Sequence, residues 1–334
     1  KAASSLTNPV SKSSPRRSIM VCMFLVTGGA GFIGSHVVER LLRDGQRVRV
    51  LDNFSAGSRE NLAFGNADSR LEIIEGDLRD AGAVGAATRG VEVIFHQAAM
   101  RSVPRSVDDP LGANENNVTG TLNVLMAARQ AGARRVVYAS SSSIYGDRPD
   151  LPKREDQPPA PISPYAVSKL AGELYCAAWS RLYGLEAVGL RYFNVFGARQ
   201  DPASQYAAVI PRFITWALKG EPLEVHADGT QSRDFTYIDN VVEANLLAAS
   251  APGAAGETFN VGCGSRVSLL EIIQLLERIV GRSLERRHTP RRQGDVPHTL
   301  ADIGKAKRFL GYVPLVEFEE GLRRTVEYFR RRGS

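Results

Sequence analysis

VCMFLVTGGAGFIGSHVVERLLRDG, residues 21–45, passes from a short apolar run through glycines into a segment whose apolar residues recur at helical spacing. The run at 21–27 predicts a strand, and Gly45 stands where a helix stop is expected. Gly28, Gly31 and Gly34 have the spacing G-x-x-G-x-x-G. Glycines at such positions permit a tight strand-to-helix turn and let a pyrophosphate approach the backbone. The helix N-terminus then supplies N–H groups and positive dipole.

Further strands are expected at RVRVLD (47–52), LEIIEGD (71–77), VEVIFH (91–96), RRVVYAS (134–140) and EAVGLRYF (186–193). Helical segments such as TGTLNVLMAARQAG (119–132) separate them. Alternating strands and helices predict an α/β fold, a doubly wound parallel sheet of the Rossmann type. The proline-rich stretch 147–164 reads as a loop, and Ser163-Pro164 as a cap and first-turn proline opening a helix to about residue 183. Beyond Gly197, AVIPRFITWALKG, DNVVEANLLAAS, SLLEIIQLLERIVG and GLRRTVEYFRRR predict a smaller, mostly helical substrate lobe. The expected organisation is a disordered tail or leader at 1–19, a nucleotide-binding domain at 20–190, and a substrate lobe at 191–330. Parts of 227–262 are expected to return to the sheet.

Composition excludes several classes of function. The 334 residues are 43% hydrophobic and 23% charged, ordinary for a globular chain. No apolar run is long enough to span a membrane. Net charge is +6, but Lys1, Lys12, Arg16 and Arg17 in an acid-free leader account for four of these charges. The remaining arginine pairs are scattered, so they read as solvated faces with one or two phosphate contacts, and no nucleic-acid partner is expected. Cys22, Cys176 and Cys263 lack metal-ligand spacing, and the histidines form no HExxH or HxH pattern. The expectation is a reducing cytoplasm and no metal site.

Asp52 ends the second strand, 24 residues after Gly28. A carboxylate there accepts hydrogen bonds from an adenosine ribose and repels a 2′-phosphate, favouring NAD over NADP. Asp77, after the third strand, reads as an adenine contact or as a helix cap. Tyr165 and Lys169 are four apart, so on a helix the phenol and ammonium share a face. A neighbouring cation favours the phenolate, which can take a hydroxyl proton as hydride leaves the same carbon. Ser140 to Ser143 end the fifth strand, where a doubly wound fold presents residues to ligand. Hydroxyls there suit a group that alternates between alcohol and carbonyl, though a serine run also reads as a simple loop.

LVTGGAGFIGSH, LDNFSAG, EGDLRD, HQAAMRSVPRS, SSSSIYGD, SPYAVSK, RYFNVFG, SRDFTYIDN and RRQGDV together resemble the nucleotide-sugar 4-epimerases of the extended short-chain dehydrogenase/reductase superfamily, over about residues 21–330. HQAAMRSVPRS and RQDPASQYAAVIPRF are most similar to bacterial UDP-N-acetylglucosamine 4-epimerases. The resemblance implies Tyr165 as base, Lys169 as holder of the nicotinamide ribose, Ser141 as catalytic hydroxyl and Ser142 as helper. It implies resident NAD, bound also through Phe32, Ile33, Asn53, Leu78, Gln97, Ala98 and Ala99. Asn194, Arg233 and Arg292 match contacts to the substrate diphosphate, and Asp295 the ligand of the uridine ribose. Ala208, Val209, Glu224, Val225 and His226 are expected at the uracil, with Ser102 and Ser143 near the sugar.

The implied reaction inverts C4 of a UDP-sugar through a 4-keto intermediate. The resemblance implies that Thr299 stands at the position that gates the sugar pocket in this family. A small residue there admits a 2-N-acetyl group, which implies interconversion of UDP-N-acetylglucosamine and UDP-N-acetylgalactosamine, with UDP-glucose also accepted. Arg101 departs from the small residue expected. It keeps a UDP-glucuronate or UDP-N-acetyl-uronate epimerase open, unless it points to solvent. Dehydratases of this superfamily carry an acidic pair where this chain has Ser143 and Ile144. A UDP-glucose-only epimerase and a non-catalytic NAD sensor complete the alternatives, the sensor opposed by the intact Tyr165–Lys169 pair. Segments 115–131 and 164–183 are the expected homodimer helices.

Overall fold

The computed structural model describes residues 22–202, 208–290 and 296–333. Its first half alternates strands and helices: β1 (Met23–Thr27), α1 (Phe32–Arg43), β2 (Arg47–Asp52), β3 (Leu71–Glu75), α2 (Ala81–Thr88) and β4 (Val93–His96). Then come α3 (Val103–Asp108), α4 (Pro110–Asn114), α5 (Gly120–Ala131), β5 (Arg135–Ser141), α6 (Pro164–Tyr183) and β6 (Glu186–Tyr192). The later elements are β7 (Val195–Phe196), α7 (Val209–Lys219), β8 (Leu223–His226), β9 (Ser232–Arg233), β10 (Thr236–Tyr237), α8 (Ile238–Ser250) and β11 (Thr258–Val261). Last are β12 (Val267–Ser268), α9 (Leu269–Val280), β13 (Arg286–Thr289), α10 (Gly304–Leu310) and α11 (Phe318–Arg331).

Seven strands form one parallel sheet in the order β3-β2-β1-β4-β5-β6-β11. The order reverses between β1 and β4, the place where open α/β sheets bind ligand. Side chains alternate across each strand, and this sorts the core. Val26 and Val137 face one layer with Val37 and Leu41 of α1 and Val241 of α8. Leu25 and Val136 face the other with Val84 of α2, Leu125 of α5 and Cys176 of α6. The first layer runs on without a break into the C-terminal lobe, through Phe213 of α7, Ile273 of α9 and Leu322 of α11.

Two local features add to the sequence reading. The helix expected from residue 119 begins at Gly120 and is preceded by a π turn, Glu115–Thr119. The loop after β4 is not open coil but carries the short helices α3 and α4, capped by Ser102 and Asp109. Among the described residues no helix is long and apolar enough to cross a membrane.

Candidate active site

The first part of the site is the turn from β1 into α1. Gly28 has φ +66°, and a Cβ there would meet the Ala98 backbone at 2.7 Å. A Cβ on Gly34 would lie 2.2 Å from the Gly28 carbonyl, so only glycine lets the turn close. No side chain caps α1 and its first turn holds no acidic residue. The uncapped N–H groups and dipole suit an anionic pyrophosphate. Phe32 is buried and Ile33 is partly buried against the core, which leaves mainly their main-chain groups open at the turn.

Asp52 ends β2 and is 7% exposed. Its Oδ2 accepts the Ala30 N–H at 2.9 Å and its Oδ1 the Phe54 N–H at 2.8 Å. Burial raises its pKa, against those two backbone bonds. Each oxygen keeps a lone pair for a ribose hydroxyl. Asp77 is bonded to Arg79 and to the Asn53 amide, and Arg79 holds its carboxyl well below the usual range. The helix-cap alternative for Asp77 does not hold, because Asp80 caps α2. Leu78 belongs to the core, and the Gln97 amide is bound to Asn245 and Tyr192. Ala98 N–H donates to Thr27 Oγ1 at 3.3 Å, and Ala99 follows on the same strand exit. A cavity of about 370 Å³ opens here, lined among others by Asn53, Arg79, Met100, Arg105 and Asn116. A carboxylate for ribose and an uncapped helix end fit a dinucleotide, and the cavity lies beside them without being lined by Asp52 or the glycine turn.

The second part lies on α6. Ser163 Oγ accepts the Ala166 N–H at 3.2 Å, and Pro164 follows the cap. Ser106 of α3 accepts the Tyr165 N–H at 3.0 Å, which ties the loop after β4 to this helix. The Ser141 hydroxyl faces the Tyr165 phenol and acts to lower its pKa. Ser141 Oγ accepts from both Ser143 N (3.2 Å) and Ser143 Oγ (2.9 Å). Both of its lone pairs are thereby engaged, so its own proton is directed outward toward Tyr165. Ser142 is the intervening residue of that turn.

Lys169 is buried, and Nζ donates to Ala139 O at 2.8 Å. It lies 6.0 Å from the Tyr165 ring centroid and 5.1 Å from that of Tyr138. Burial lowers its pKa to about 8, opposed by the Glu173 charge one turn along. Burial raises the Tyr165 phenol, while the Ser141 hydroxyl and the Arg101 charge lower it. The expectation that Lys169 supplies the tuning charge is therefore modified, because the cations acting on this phenol include Arg101. Arg101 is exposed, yet it faces the phenol closely enough to act on it. Ser102 instead caps α3 through the Arg105 N–H.

The third part comes from the C-terminal lobe. Asn194 follows β6 with φ +32°, and its Nδ2 donates to Asp234 O (3.0 Å) and Thr299 Oγ1 (3.2 Å). Two sequence-predicted residues, Asn194 and Thr299, are thus in contact. Arg233 Nη1 donates to Pro297 O at 2.9 Å. Ala208 caps α7 ahead of Val209, and one turn on Arg212 pairs with Glu224 at 3.0 Å. In β8 Glu224 and His226 share a face, but Val225 is wholly buried on the other. The period of two turns its side chain into the core, which leaves only its main chain to face a ligand. Arg292 and Asp295 lie outside the described residues. Among the described residues no group of three or more His, Cys, Asp or Glu side chains is placed to hold a metal ion.

The sequence reading missed Asn117. On the π turn, its Oδ1 accepts the Met100 N–H at 2.7 Å, and Nδ2 donates to Met100 O (3.1 Å) and Ser168 Oγ (2.9 Å). It joins the Arg101 loop to the helix of Tyr165. An irregular turn inside a helix often marks such a site, but no spacing in the sequence announces it.

Residues 24–262 match the NAD dependent epimerase/dehydratase family, and the chain belongs to that family. The "UDP-glucose 4-epimerase" of Mycolicibacterium smegmatis is 42% identical over 312 residues, covering 93% of this chain and 99% of that one. The structure of a UDP-N-acetylglucosamine 4-epimerase from Methanobrevibacter ruminantium, in complex with UDP-N-acetylmuramic acid, superposes with TM-score 0.89 at 39% identity, covering 93% and 99% of the two chains. A UDP-glucuronic acid 4-epimerase from Bacillus cereus, in complex with UDP-glucuronic acid and NAD, gives TM-score 0.86 at 33% identity, covering 92% and 99%.

Proposed function

We propose that this chain is a UDP-sugar 4-epimerase with resident NAD. The observation that carries the reading is the Ser143–Ser141 hydrogen bond set against the Tyr165 phenol, on the helix that also bears Lys169. When bound, NAD supplies a hydride acceptor beside sugar C4 that returns the hydride after the sugar has turned. Tyr165 takes the 4-hydroxyl proton on the outward step and returns one to the 4-oxygen on the way back. Ser141, with its lone pairs held by Ser143, keeps its proton and donates a hydrogen bond to the phenolate or to the 4-oxygen, whichever carries the charge. The two remaining N–H groups of Lys169 would hold the nicotinamide ribose. Asp52 holds the adenosine ribose and the α1 N-terminus the pyrophosphate. Arg233, with Arg292 and Asp295, grips UDP. Contacts on UDP must be strong and those on the sugar few, because the ring turns over while the nucleotide stays.

For the sugar, the proposal is UDP-N-acetylglucosamine and UDP-N-acetylgalactosamine, with UDP-glucose as a slower substrate. Thr299 is small, and its hydroxyl accepts a hydrogen bond from the Asn194 amide. A second reading, a UDP-uronate epimerase, is favoured by the Arg101 charge beside Tyr165, which can pair with a carboxylate. The test is kcat/KM on UDP-N-acetylglucosamine, UDP-glucose and UDP-glucuronate for wild type and Thr299→Tyr. The variant should lose N-acetylated substrates and keep UDP-glucose. Equal loss of both refutes the gate, and preference for glucuronate in wild type installs the second reading.

The homodimer is also a proposal. Met126 of α5 and Val167, Leu174 and Leu182 of α6 are 50–71% exposed. The last three recur every seven or eight residues, so they form one stripe on the helix. An apolar stripe of that length suits a second copy of the same two helices.

A further inference from the structure

Glu173 and Arg191 form a bidentate ion pair, at 2.9 Å (Nε–Oε1) and 2.8 Å (Nη2–Oε2), with both side chains almost wholly buried. Nothing in the reaction described above uses either residue. Their partners are informative. Glu173 Oε1 also accepts from Ser140 Oγ, the residue before Ser141 on β5. Arg191 Nη1 donates to the Tyr145 hydroxyl at 2.8 Å, and Tyr145 closes the turn that holds Ser142 and Ser143. Tyr145 in turn donates to Asn260 Oδ1 at 2.7 Å, on β11. Glu173 lies one helical turn after Lys169 on α6. One ion pair therefore grips both ends of the serine turn and the helix that carries Tyr165 and Lys169.

We propose that Glu173 and Arg191 are positioning residues that hold the Ser141 turn in register with the Tyr165–Lys169 helix. The inference rests on the function proposed above. The physical case begins with the energetics of burial. A buried ion pair is poor at raising stability, since a matched apolar pair often serves as well or better. What it supplies is direction: a guanidinium fork and a carboxylate admit one geometry. Here that geometry sets the spacing between β5, its following turn and α6. The Ser141–Tyr165 contact is made between those elements, and a displacement near 1 Å in such a contact costs about 100-fold in rate. Glu173 has a second effect. Its charge supports protonation of Lys169, which burial opposes. The other groups facing Lys169 are Cys176 on its own helix, His96 of β4, and the rings of Tyr138 and Tyr165. Burial holds the His96 imidazole neutral and the Cys176 thiol protonated, so Glu173 is the anion among them.

The test compares Glu173→Gln, Arg191→Met and the double variant Glu173→Leu/Arg191→Met. The double variant removes both charges together and so leaves no lone buried ion. It should fold with a midpoint near that of wild type and retain bound NAD. Its kcat should nevertheless fall about 10- to 100-fold with KM changed less than threefold. A double variant that folds and turns over like wild type overturns the proposal. A second readout needs no substrate. The Lys169 Nζ titration, followed by NMR on lysine-labelled protein, should move to lower pH in Glu173→Gln. An unmoved titration together with unchanged kcat also overturns it. Should wild type turn over no UDP-sugar at all, the proposed function fails, and the lysine titration still decides whether Glu173 acts on the site.

Discussion

Replacing Asp52 by Asn removes one charge and no atoms of bulk, and its consequence can be worked from the contacts. The carboxylate accepts Ala30 N–H at 2.9 Å on one oxygen and Phe54 N–H at 2.8 Å on the other. Ala30 lies in the glycine turn, and Phe54 is a non-glycine residue held at φ +55°. An amide has a single oxygen, so one of these N–H groups would face an NH₂. Leaving a buried donor without its acceptor costs about 1–3 kcal/mol. Expressed wholly in cofactor affinity, that weakens NAD by about 5- to 160-fold. The lost ribose contact adds to it. The assay is NAD released from purified protein, followed by calorimetric titration of NAD back into the stripped chain. A variant that retains full NAD and rebinds it within twofold of wild type would refute the reasoning, because neither the turn nor the ribose would then depend on the carboxylate.

Three further outcomes follow from the same geometry. Tyr165→Phe should lower kcat by about 10²- to 10⁴-fold with NAD content unchanged, the range for loss of a positioned acid–base; near-normal kcat would move the proton chemistry elsewhere. His96 is buried between Thr27 (2.7 Å) and Thr121 (3.0 Å), and burial lowers its pKa to about 3. The unfolded chain then binds the extra proton from about pH 6.5 downward, so this residue's contribution falls as pH drops. Denaturant melts should show wild type losing about 2 kcal/mol relative to His96→Gln between pH 6.5 and 5, and parallel pH curves would count against it. Leu174→Lys on the exposed stripe of α6 should yield a monomer by light scattering if a second copy covers that face. A variant that stays dimeric would place the interface elsewhere.

How much could be read before the structure depended on whether the signal was local. The strand at 47–52 and the helix from Pro164 to Tyr183 stand at the residues expected, because period, cap and proline all lie within the segment. The glycine turn and the Tyr165–Lys169 pair were legible for the same reason. The α3 and α4 helices were not, since each is too short to show a period. The edge strand β11 pairs with β6 from more than sixty residues away, and only that pairing makes Thr258–Val261 a strand. The site's supports were the least visible. Asn117, Ser106 and the Glu173–Arg191 pair act through contacts between segments far apart in the chain. Val225 turns its side chain into the core because strand residues alternate, and the resemblance named a segment without saying which face it presented. Arg101 shows the converse: its departure from the expected residue was plain, while its effect on Tyr165 emerged only from the fold.

The central claim is that the hydrogen removed from sugar C4 is the one returned to it, while Tyr165, supported by the Ser141 hydroxyl, takes and returns the proton at the 4-oxygen. The direct test is NMR of UDP-N-acetylglucosamine and UDP-glucose carrying deuterium at C4, incubated with purified protein in ordinary water with no NAD added. The account predicts a galacto-configured product that keeps its deuterium at C4. A product in which that deuterium has been replaced by solvent hydrogen would contradict it.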